Sequence, residues 1–279
     1  MYILAALMLL VPVTGRAADI SASVQESSKM PGTLSGQLLT TGGEPLAGGS
    51  VYFFDKKLGP PPDYVKYWRV PDFKQQLDEN GKFSLYLPAG TYYMGATRRI
   101  SGKVIGPPKD GDFYFISSDE KGVPRIYEVQ ADARMDLGVM AKGVPFKSST
   151  VSYGKDVTDI EGVVLDKESK PVAGALVLAF ASPSRGVKPL FTSEPIGKDG
   201  SFIIRVHDSG LFYLKVRSMY GGGPPVTGEM VGMYGDRQPM AITVKKGERQ
   251  SGLAIRTTTF PGKGPQPGPV DMPRNGKQL

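Results

Sequence analysis

The chain carries one series of short motifs twice, in the same order, and this internal repeat constrains its fold more than any other feature. The first copy contains Pro45-Leu46-Ala47-Gly48-Gly49, and the second contains Pro171-Val172-Ala173-Gly174-Ala175. The next matching pair is Asn80-Gly81-Lys82-Phe83 and Asp199-Gly200-Ser201-Phe202. Self-similarity in a fixed order is typical of a duplicated structural unit. The sequence therefore predicts two copies of one domain.

Both copies are made of short runs that are typical of β-strands. Residues 50–54 and 175–180 are rich in the apolar and aromatic side chains that strands prefer, and so are residues 83–87 and 202–206. The chain has 36 glycine and 24 proline residues, which favour frequent turns. No window of helical length shows the apolar stripe of an amphipathic helix.

These features predict an all-β fold of two tandem, seven-to-eight-stranded antiparallel β-sandwiches of the Ig-like or prealbumin-like kind. The first sandwich is expected at residues 32–142 and the second at residues 158–259. The dipeptides Asn80-Gly81 and Asp199-Gly200 predict two-residue hairpin turns, because both central residues of a type I′ turn need a positive φ.

The order of the motifs resembles a known family. In each copy, Gly-x-Val/Leu is followed by Pro-Leu/Val-Ala-Gly-Gly/Ala and a strand, then by Asn/Asp-Gly-x-Phe and Gly-x-Tyr/Phe. This succession resembles the carboxypeptidase regulatory-like domain, one of the prealbumin-like or transthyretin-like β-sandwiches. The resemblance implies a non-catalytic companion module, of the kind attached to peptidases, surface proteins, adhesins and outer-membrane receptors.

The two ends of the chain are expected to lie outside the sandwiches. Residues 1–17 predict a secretory signal peptide, because an apolar run ends in small residues with a cleavage point after Ala17. The run is shorter than the ~20 apolar residues of a membrane-spanning helix. The mature protein is therefore expected in the periplasm, or secreted or at the cell surface. No Lys or Arg precedes the run, so we expect the true start upstream of Met1. Residues 260–279 are rich in Pro and Gly and predict a disordered tail.

Composition removes several classes of chemistry. The chain has no cysteine and one histidine, His207, which excludes a disulfide framework, a thiolate nucleophile and a Cys/His zinc site. Composition does not remove an all-carboxylate metal site, a Ser–Lys mechanism or a two-carboxylate mechanism. The formal net charge of +7 is spread over short clusters, without a nucleic-acid-binding motif. The sequence predicts no catalytic residue, no cofactor, no metal site and no nucleic-acid partner.

The first copy holds an insert that the second lacks, residues 59–72, and with it the only tryptophan of the chain. Prolines stiffen this loop, which carries Tyr64, Tyr67, Trp68 and Arg69. Since Trp, Tyr and Arg dominate interaction hot spots, one interpretation is a displayed surface that binds a protein partner or stacks on a glycan. The other interpretation is that the loop folds back and Trp68 fills its own sandwich.

Both copies also share the segment Gly-Pro-Pro-x-x-Gly-Asp/Glu, at residues 106–112 and 223–229. Tyr114 follows it in the first copy and Tyr234 in the second. Since the segment recurs, we interpret it first as a structural loop before the closing strands. The second interpretation is an interface that includes the two tyrosines.

Two functional hypotheses follow. A duplicated binding-type architecture without a catalytic constellation favours a non-catalytic structural and protein-interaction module outside the cytoplasm, an accessory subunit of an envelope or cell-surface assembly. The open edges of antiparallel sheets favour docking of a protein partner. The alternative is a carbohydrate-binding module that uses Tyr64, Tyr67 and Trp68.

Overall fold

The computed structural model describes residues 30–100, 108–148, 158–184, 186–219, 223–235 and 237–262. These residues form two units of eight β-strands each. The described part of the chain holds no helix that is long and apolar enough to cross a membrane. The predicted signal peptide, residues 1–17, lies outside the described residues, as do residues 263–279 of the predicted tail, residues 260–279.

The strands follow the two copies of the sequence motifs. The first unit contains β1 (Gly32–Thr40), β2 (Ser50–Asp55), β3 (Phe73–Gln76), β4 (Lys82–Leu87), β5 (Gly90–Arg98), β6 (Phe113–Ile116), β7 (Tyr127–Val129) and β8 (Arg134–Pro145). The second unit contains β9 (Thr158–Leu165), β10 (Leu176–Phe180), β11 (Phe191–Thr192), β12 (Ser201–Val206), β13 (Gly210–Arg217), β14 (Met230–Met233), β15 (Ile242–Val244) and β16 (Arg249–Thr259).

The two units have the same topology. The hydrogen-bonded order of the first sheet is β3-β2-β5-β6-β8-β1-β4, and β7 pairs with β5. The order of the second sheet is β11-β10-β13-β14-β16-β9-β12, and β15 pairs with β13. Each strand of the first sheet thus has a counterpart at the same place in the second. The prediction of two tandem all-β sandwiches is confirmed.

One strand pair in each sheet differs from the antiparallel prediction. β1 runs parallel to β8, and β9 runs parallel to β16. The first and last strands of a unit lie side by side in the same direction, which requires a chain crossing between them rather than a hairpin. The other strand pairs are antiparallel, as predicted.

The turns at Asn80-Gly81 and Asp199-Gly200 are not the predicted two-residue hairpins. The strands on either side of Gly81 pair with different neighbours, β3 with β2 and β4 with β1. Gly81 has a positive φ of 72°, whereas Asn80 does not, and the Gly81 N–H donates to the Asp78 carbonyl. A Cβ at Gly81 would lie 2.3 Å from the Leu38 carbonyl oxygen. The glycine is therefore needed for its close approach to β1 as well as for its φ.

Each unit encloses an apolar core. Along β4, Phe83 and Leu87 are buried while Ser84 and Tyr86 are exposed, as expected for a strand with one face toward the core. The first core consists of Leu34, Leu38, Leu46, Val51, Phe53, Leu77, Phe83, Leu87, Tyr92, Met94, Ala96, Phe115 and Val129. The second core is built in the same way and includes Ile160, Val177, Ile204, Leu214 and Ile255. Full burial of a large apolar side chain stabilises a fold by about 1.5–3 kcal/mol.

Candidate functional site

The insert, residues 59–72, leads from β2 to β3 and reaches the second unit. Its residue Arg69 forms an antiparallel β-bridge with Phe191, the first residue of β11. The backbone hydrogen bonds that flank this bridge are Val70 N–H to the Leu190 carbonyl (2.8 Å) and Thr192 N–H to the Trp68 carbonyl (3.1 Å). The insert thus adds a short strand to the edge of the second sheet.

One extended segment therefore belongs to both sheets. Residues 68–70 contact β11, and residues 73–76 pair with β2 as strand β3. Lys188 of the second unit extends the contact, since its Nζ donates to the Asp72 carbonyl at 2.7 Å and lies 5.0 Å from the centroid of the Phe73 ring. The two sandwiches are joined through backbone and side-chain contacts.

Tyr67 places its side chain in the core of the second unit. Its ring packs edge-on against the rings of Phe191 and His207, with centroid distances of 5.7 Å and 5.3 Å. Its hydroxyl donates to the Pro61 carbonyl at 2.7 Å. Burial, and after it the charge of Asp63, raises the pKa of Tyr67 above its ordinary value. The hydroxyl therefore stays protonated and acts as a hydrogen-bond donor.

Trp68 enters a different cluster, which belongs to the first unit. It packs there with Tyr64 and Phe146, and its indole N–H donates to the Tyr64 carbonyl at 3.1 Å. Tyr114 packs edge-on against both Tyr64 and Phe146, with a centroid distance of 5.7 Å in each case. Adjacent residues of an extended segment point to opposite sides, which allows Tyr67 and Trp68 to anchor the insert in two units.

Arg69 holds the insert together from within. Its guanidinium donates to the carbonyls of Asp55, Gly59 and Pro60, and to the Asp72 carboxylate at 2.9 Å. Burial lowers the pKa of Arg69, although the charge of Asp72 opposes this shift. Burial also raises the pKa of Asp72, against the hydrogen bond from the Asp55 N–H and the charge of Arg69. Because a guanidinium can satisfy several acceptors at once, this buried ion pair fixes the conformation of the loop.

Of the two interpretations of the insert, the displayed aromatic surface does not match the structure. Tyr64, Tyr67 and Trp68 are only 7%, 5% and 8% exposed, and Arg69 is 4% exposed. Tyr67 is buried in the core of the second unit, whereas Tyr64 and Trp68 are buried in the cluster of the first unit. Burial of aromatic surface is favourable in both places. The interpretation that the loop folds back describes Trp68, whereas Tyr67 fills the neighbouring sandwich. A partner- or glycan-binding role of these four residues stays a prediction.

The segment Gly-Pro-Pro-x-x-Gly-Asp/Glu ends in a buried acid in each unit, Asp112 in the first and Glu229 in the second. Each acid accepts the backbone N–H three residues before it. Each also pairs with an arginine, Arg99 in the first unit and Arg217 in the second. These matching contacts support the interpretation of the segment as a structural loop.

The two tyrosines that follow this segment lie in different environments. Tyr114 is half-buried and packs against the cluster that contains Tyr64 and Trp68. Tyr234 is half-buried and packs against the core of the second unit. The two side chains contact separate clusters, which does not support an interface built on both. Their binding role, too, stays a prediction.

A groove of about 600 Å³ lies beside the insert and reaches both units. It is lined by the insert, β6, the loop after β6, β8 and, from the second unit, His207. The predicted site residues that line it are Tyr67 and Tyr114, and the ionisable side chains with them are Asp63, Lys66, Lys142 and His207. Sequence reasoning missed this groove because its walls come from segments that are far apart in the chain.

The described part of the chain holds no group of three or more His, Cys, Asp or Glu side chains placed to bind a metal ion. His207 is 43% exposed at its side chain, and its Nδ1 lies 3.9 Å from a carboxylate oxygen of Asp208. The geometry among the described residues is that of a junction between two units with a groove beside it.

No protein-family model matches the chain. No curated protein matches it either. The resemblance to carboxypeptidase regulatory-like domains therefore stays a prediction.

The solved structures that the chain matches include a bacterial protein and two pilins, all at low identity and low TM-score. The Bacillus anthracis TIE protein is 12% identical with a TM-score of 0.25, and the match covers 82% of this chain and 34% of that protein. A streptococcal ancillary pilin is 13% identical with a TM-score of 0.23, over 83% of this chain and 64% of the pilin. The major pilin subunit of Bacillus cereus is 10% identical with a TM-score of 0.26, over 82% of this chain and 99% of the pilin. The chain thus spans about a third of the TIE protein and about two thirds of the ancillary pilin. Identities and TM-scores this low carry no argument about function.

Proposed function

We propose that this protein is a non-catalytic structural and protein-interaction subunit of an assembly outside the cytoplasm, in the envelope or at the cell surface. The insert is the observation that carries the proposal. The insert pairs with β11 through its backbone, and the Tyr67 ring packs in the core of the second unit. The buried Trp68 and Arg69 side chains hold the insert to the first unit. These residues build a two-unit body and leave the groove beside them as its binding surface.

The physical advantage of such a junction is a fixed geometry. Units of one chain that share only a linker move relative to each other by default. Here a β-bridge, the Tyr67 ring and the Lys188 contact restrict that motion. A surface that is already ordered loses less conformational entropy when a partner docks. The junction therefore suits a subunit that must present one surface to a neighbour.

Carbohydrate binding by Tyr64, Tyr67 and Trp68 is the alternative function, and it stays a prediction. Stacking on a sugar ring needs an exposed aromatic face, and the structure buries all three side chains. Sugar binding at these residues would require the insert to leave β11 and break the contacts of Arg69. For this reason we favour the protein-interaction function.

Cross-linking in cells tests the proposed function. Full-length protein with a C-terminal tag is treated with formaldehyde in its native host, and adducts are identified by mass spectrometry. We expect a discrete, reproducible adduct with another extracytoplasmic protein, and a mature N-terminus at Ala18. The Tyr67→Ala variant, in which the junction is weakened, should give less of this adduct than Tyr67→Phe. Recovery of the wild type only as an unlinked, cytoplasmic monomer would contradict the proposal.

A further inference from the structure

We propose that the groove between the insert, β6, β8 and His207 binds an acidic, extended segment of a partner protein. This inference rests on the proposed function as an interaction subunit, and it names the surface and the chemistry of the partner. Nothing in the motifs of either copy points to it, because its lining combines the insert, β6, β8 and one residue of the second unit, His207.

The walls of the groove are stiff. Pro61 and Pro62 of the insert line it, together with Ile116 and Val144, which belong to paired strands. Tyr67 also lines it and is held by the hydrogen bond of its hydroxyl to the Pro61 carbonyl. The volume of about 600 Å³ lies within the range of about 300–1,000 Å³ that is usual for ligand sites. A short stretch of extended chain fits a site with this size and these walls.

The ionisable groups of the groove make it positive. Lys66 and Lys142 are exposed, and neither forms an ion pair with a carboxylate in the described part of the chain. Asp63 is the one carboxylate among the described lining residues. Its Oδ1 accepts the N–H groups of Val65 and Lys66, at 2.9 Å and 3.1 Å, so it is held by the turn of the insert.

Two lysines that form no ion pair among the described residues, beside a single carboxylate, complement negative charge on a ligand. Carboxylate side chains of a peptide would supply that charge. The proline and aliphatic walls would contact the peptide backbone and the aliphatic parts of its side chains. A glycan is the less suitable occupant, because the Tyr67 ring is buried and the Tyr114 ring is engaged edge-on by Tyr64 and Phe146.

Binding in the groove is coupled to the junction. His207 and Tyr67 line the groove and also contact each other across the two units, with ring centroids 5.3 Å apart. A ligand that binds only the joined arrangement stabilises it by mass action. The junction variant Tyr67→Ala should therefore weaken binding, although it removes no charge.

Titration calorimetry with a defined peptide tests the proposal. The probe is acetylated, amidated hexaglutamate, added to the full-length protein at low salt and again at physiological salt. The test variant is Lys66→Glu/Lys142→Glu. The matched control is Lys245→Glu/Lys246→Glu, which makes the same change of net charge in the loop between β15 and β16. Lys245 is 78% exposed there and its ion pair with Glu248 lies at the surface, so the control should change the stability little.

We expect the groove variant to lose at least tenfold in affinity and the control to stay within twofold of the wild type. An equal loss in both variants would show attraction to net charge alone and would overturn the proposal. Absence of hexaglutamate binding to the wild type would overturn it as well. Binding of cellohexaose or of a heparin-derived hexasaccharide in preference to hexaglutamate would assign the groove to a glycan instead.

Cross-linking of the wild type and of the groove variant separates this inference from the proposed function. If wild-type protein gives a cross-linked extracytoplasmic partner and Lys66→Glu/Lys142→Glu gives it equally well, the groove inference fails and the proposed function stands. If no variant and no wild-type sample gives a partner, the proposed function itself fails. Far-ultraviolet circular dichroism of each variant shows that loss of binding does not come from loss of folding.

Discussion

Tyr67 of the first unit and Phe191 of the second pack edge-on, with ring centroids 5.7 Å apart and ring planes at 89°. The backbone of Phe191 forms the β-bridge with Arg69, the residue that follows Tyr67. One residue of β11 thus takes part in both the strand contact and the aromatic contact. The junction of the two sandwiches depends on this shared position.

Replacement of Tyr67 by alanine should destabilise the second unit by about 3–5 kcal/mol, as is usual when a large buried aromatic side chain is removed. Tyr67→Phe keeps the ring and loses only the hydrogen bond to Pro61, so it should cost about 1 kcal/mol. Urea unfolding followed by circular dichroism measures both values. Equal stabilities of the two variants would show that the ring does not support the second core.

We expect substitutions of Arg69 and Asp72, which form a buried ion pair, to be strongly coupled in their effects on the free energy of unfolding. The side chains are 0% and 7% exposed, so either charge left alone would be buried without its counter-charge. Arg69→Met and Asp72→Asn should each destabilise the protein by about 3–5 kcal/mol. The double variant should cost clearly less than the sum of the two, because no unpaired charge remains. Additive losses in a double-mutant cycle would rule out this coupling.

The sequence predicts the parts of the fold that depend on local chemistry. Strand runs, turn glycines and the order of motifs recur in both copies, so the matched topology of the two sheets could be expected. The buried acids Asp112 and Glu229 belong to a segment that the repeat had marked as structural. Their arginine partners could not be predicted, because Arg99 and Arg217 are not at matching positions of the repeat.

The course of the insert could not be predicted for a different reason. Its aromatic residues suit a displayed surface and a buried one equally well by composition. The structure buries Tyr67 against Phe191 of the other unit and Trp68 against Tyr64 and Phe146 of its own. Both contacts join segments that are far apart in the chain, which no local pattern encodes. The groove and the parallel pairs of strands depend on long-range contacts in the same way.

The glycine of the Asn80-Gly81 turn should be the more sensitive of two glycines with positive φ. Gly81→Ala places a Cβ 2.3 Å from the Leu38 carbonyl oxygen, whereas a Cβ at Gly43 meets no atom within 4 Å. Gly43→Ala should therefore cost only the ~1–2 kcal/mol of the left-handed conformation. Gly81→Ala should cost more, since backbone must move as well. Equal decreases in stability of the two variants in thermal unfolding would mean that the backbone of β1 moves away from the new Cβ without destabilising the protein.

The buried carboxylate of Glu229 should make the protein sensitive to acid. Burial acts to raise the pKa of Glu229, but hydrogen bonds from Arg217 and from the Val226 N–H outweigh it, and the pKa lies below its ordinary value. The folded state therefore binds this proton less readily than the unfolded state. The resulting stability is present above pH ~4.3, the ordinary pKa of a glutamate, and is lost as the pH falls through the lower pKa of the folded state. Glu229→Gln cannot titrate at this position, so its unfolding free energy should fall less than that of the wild type between about pH 5 and pH 2. The control Glu248→Gln changes an exposed side chain and should behave like the wild type. An acid profile of Glu229→Gln that matches the wild type would place the acid sensitivity on other carboxylates.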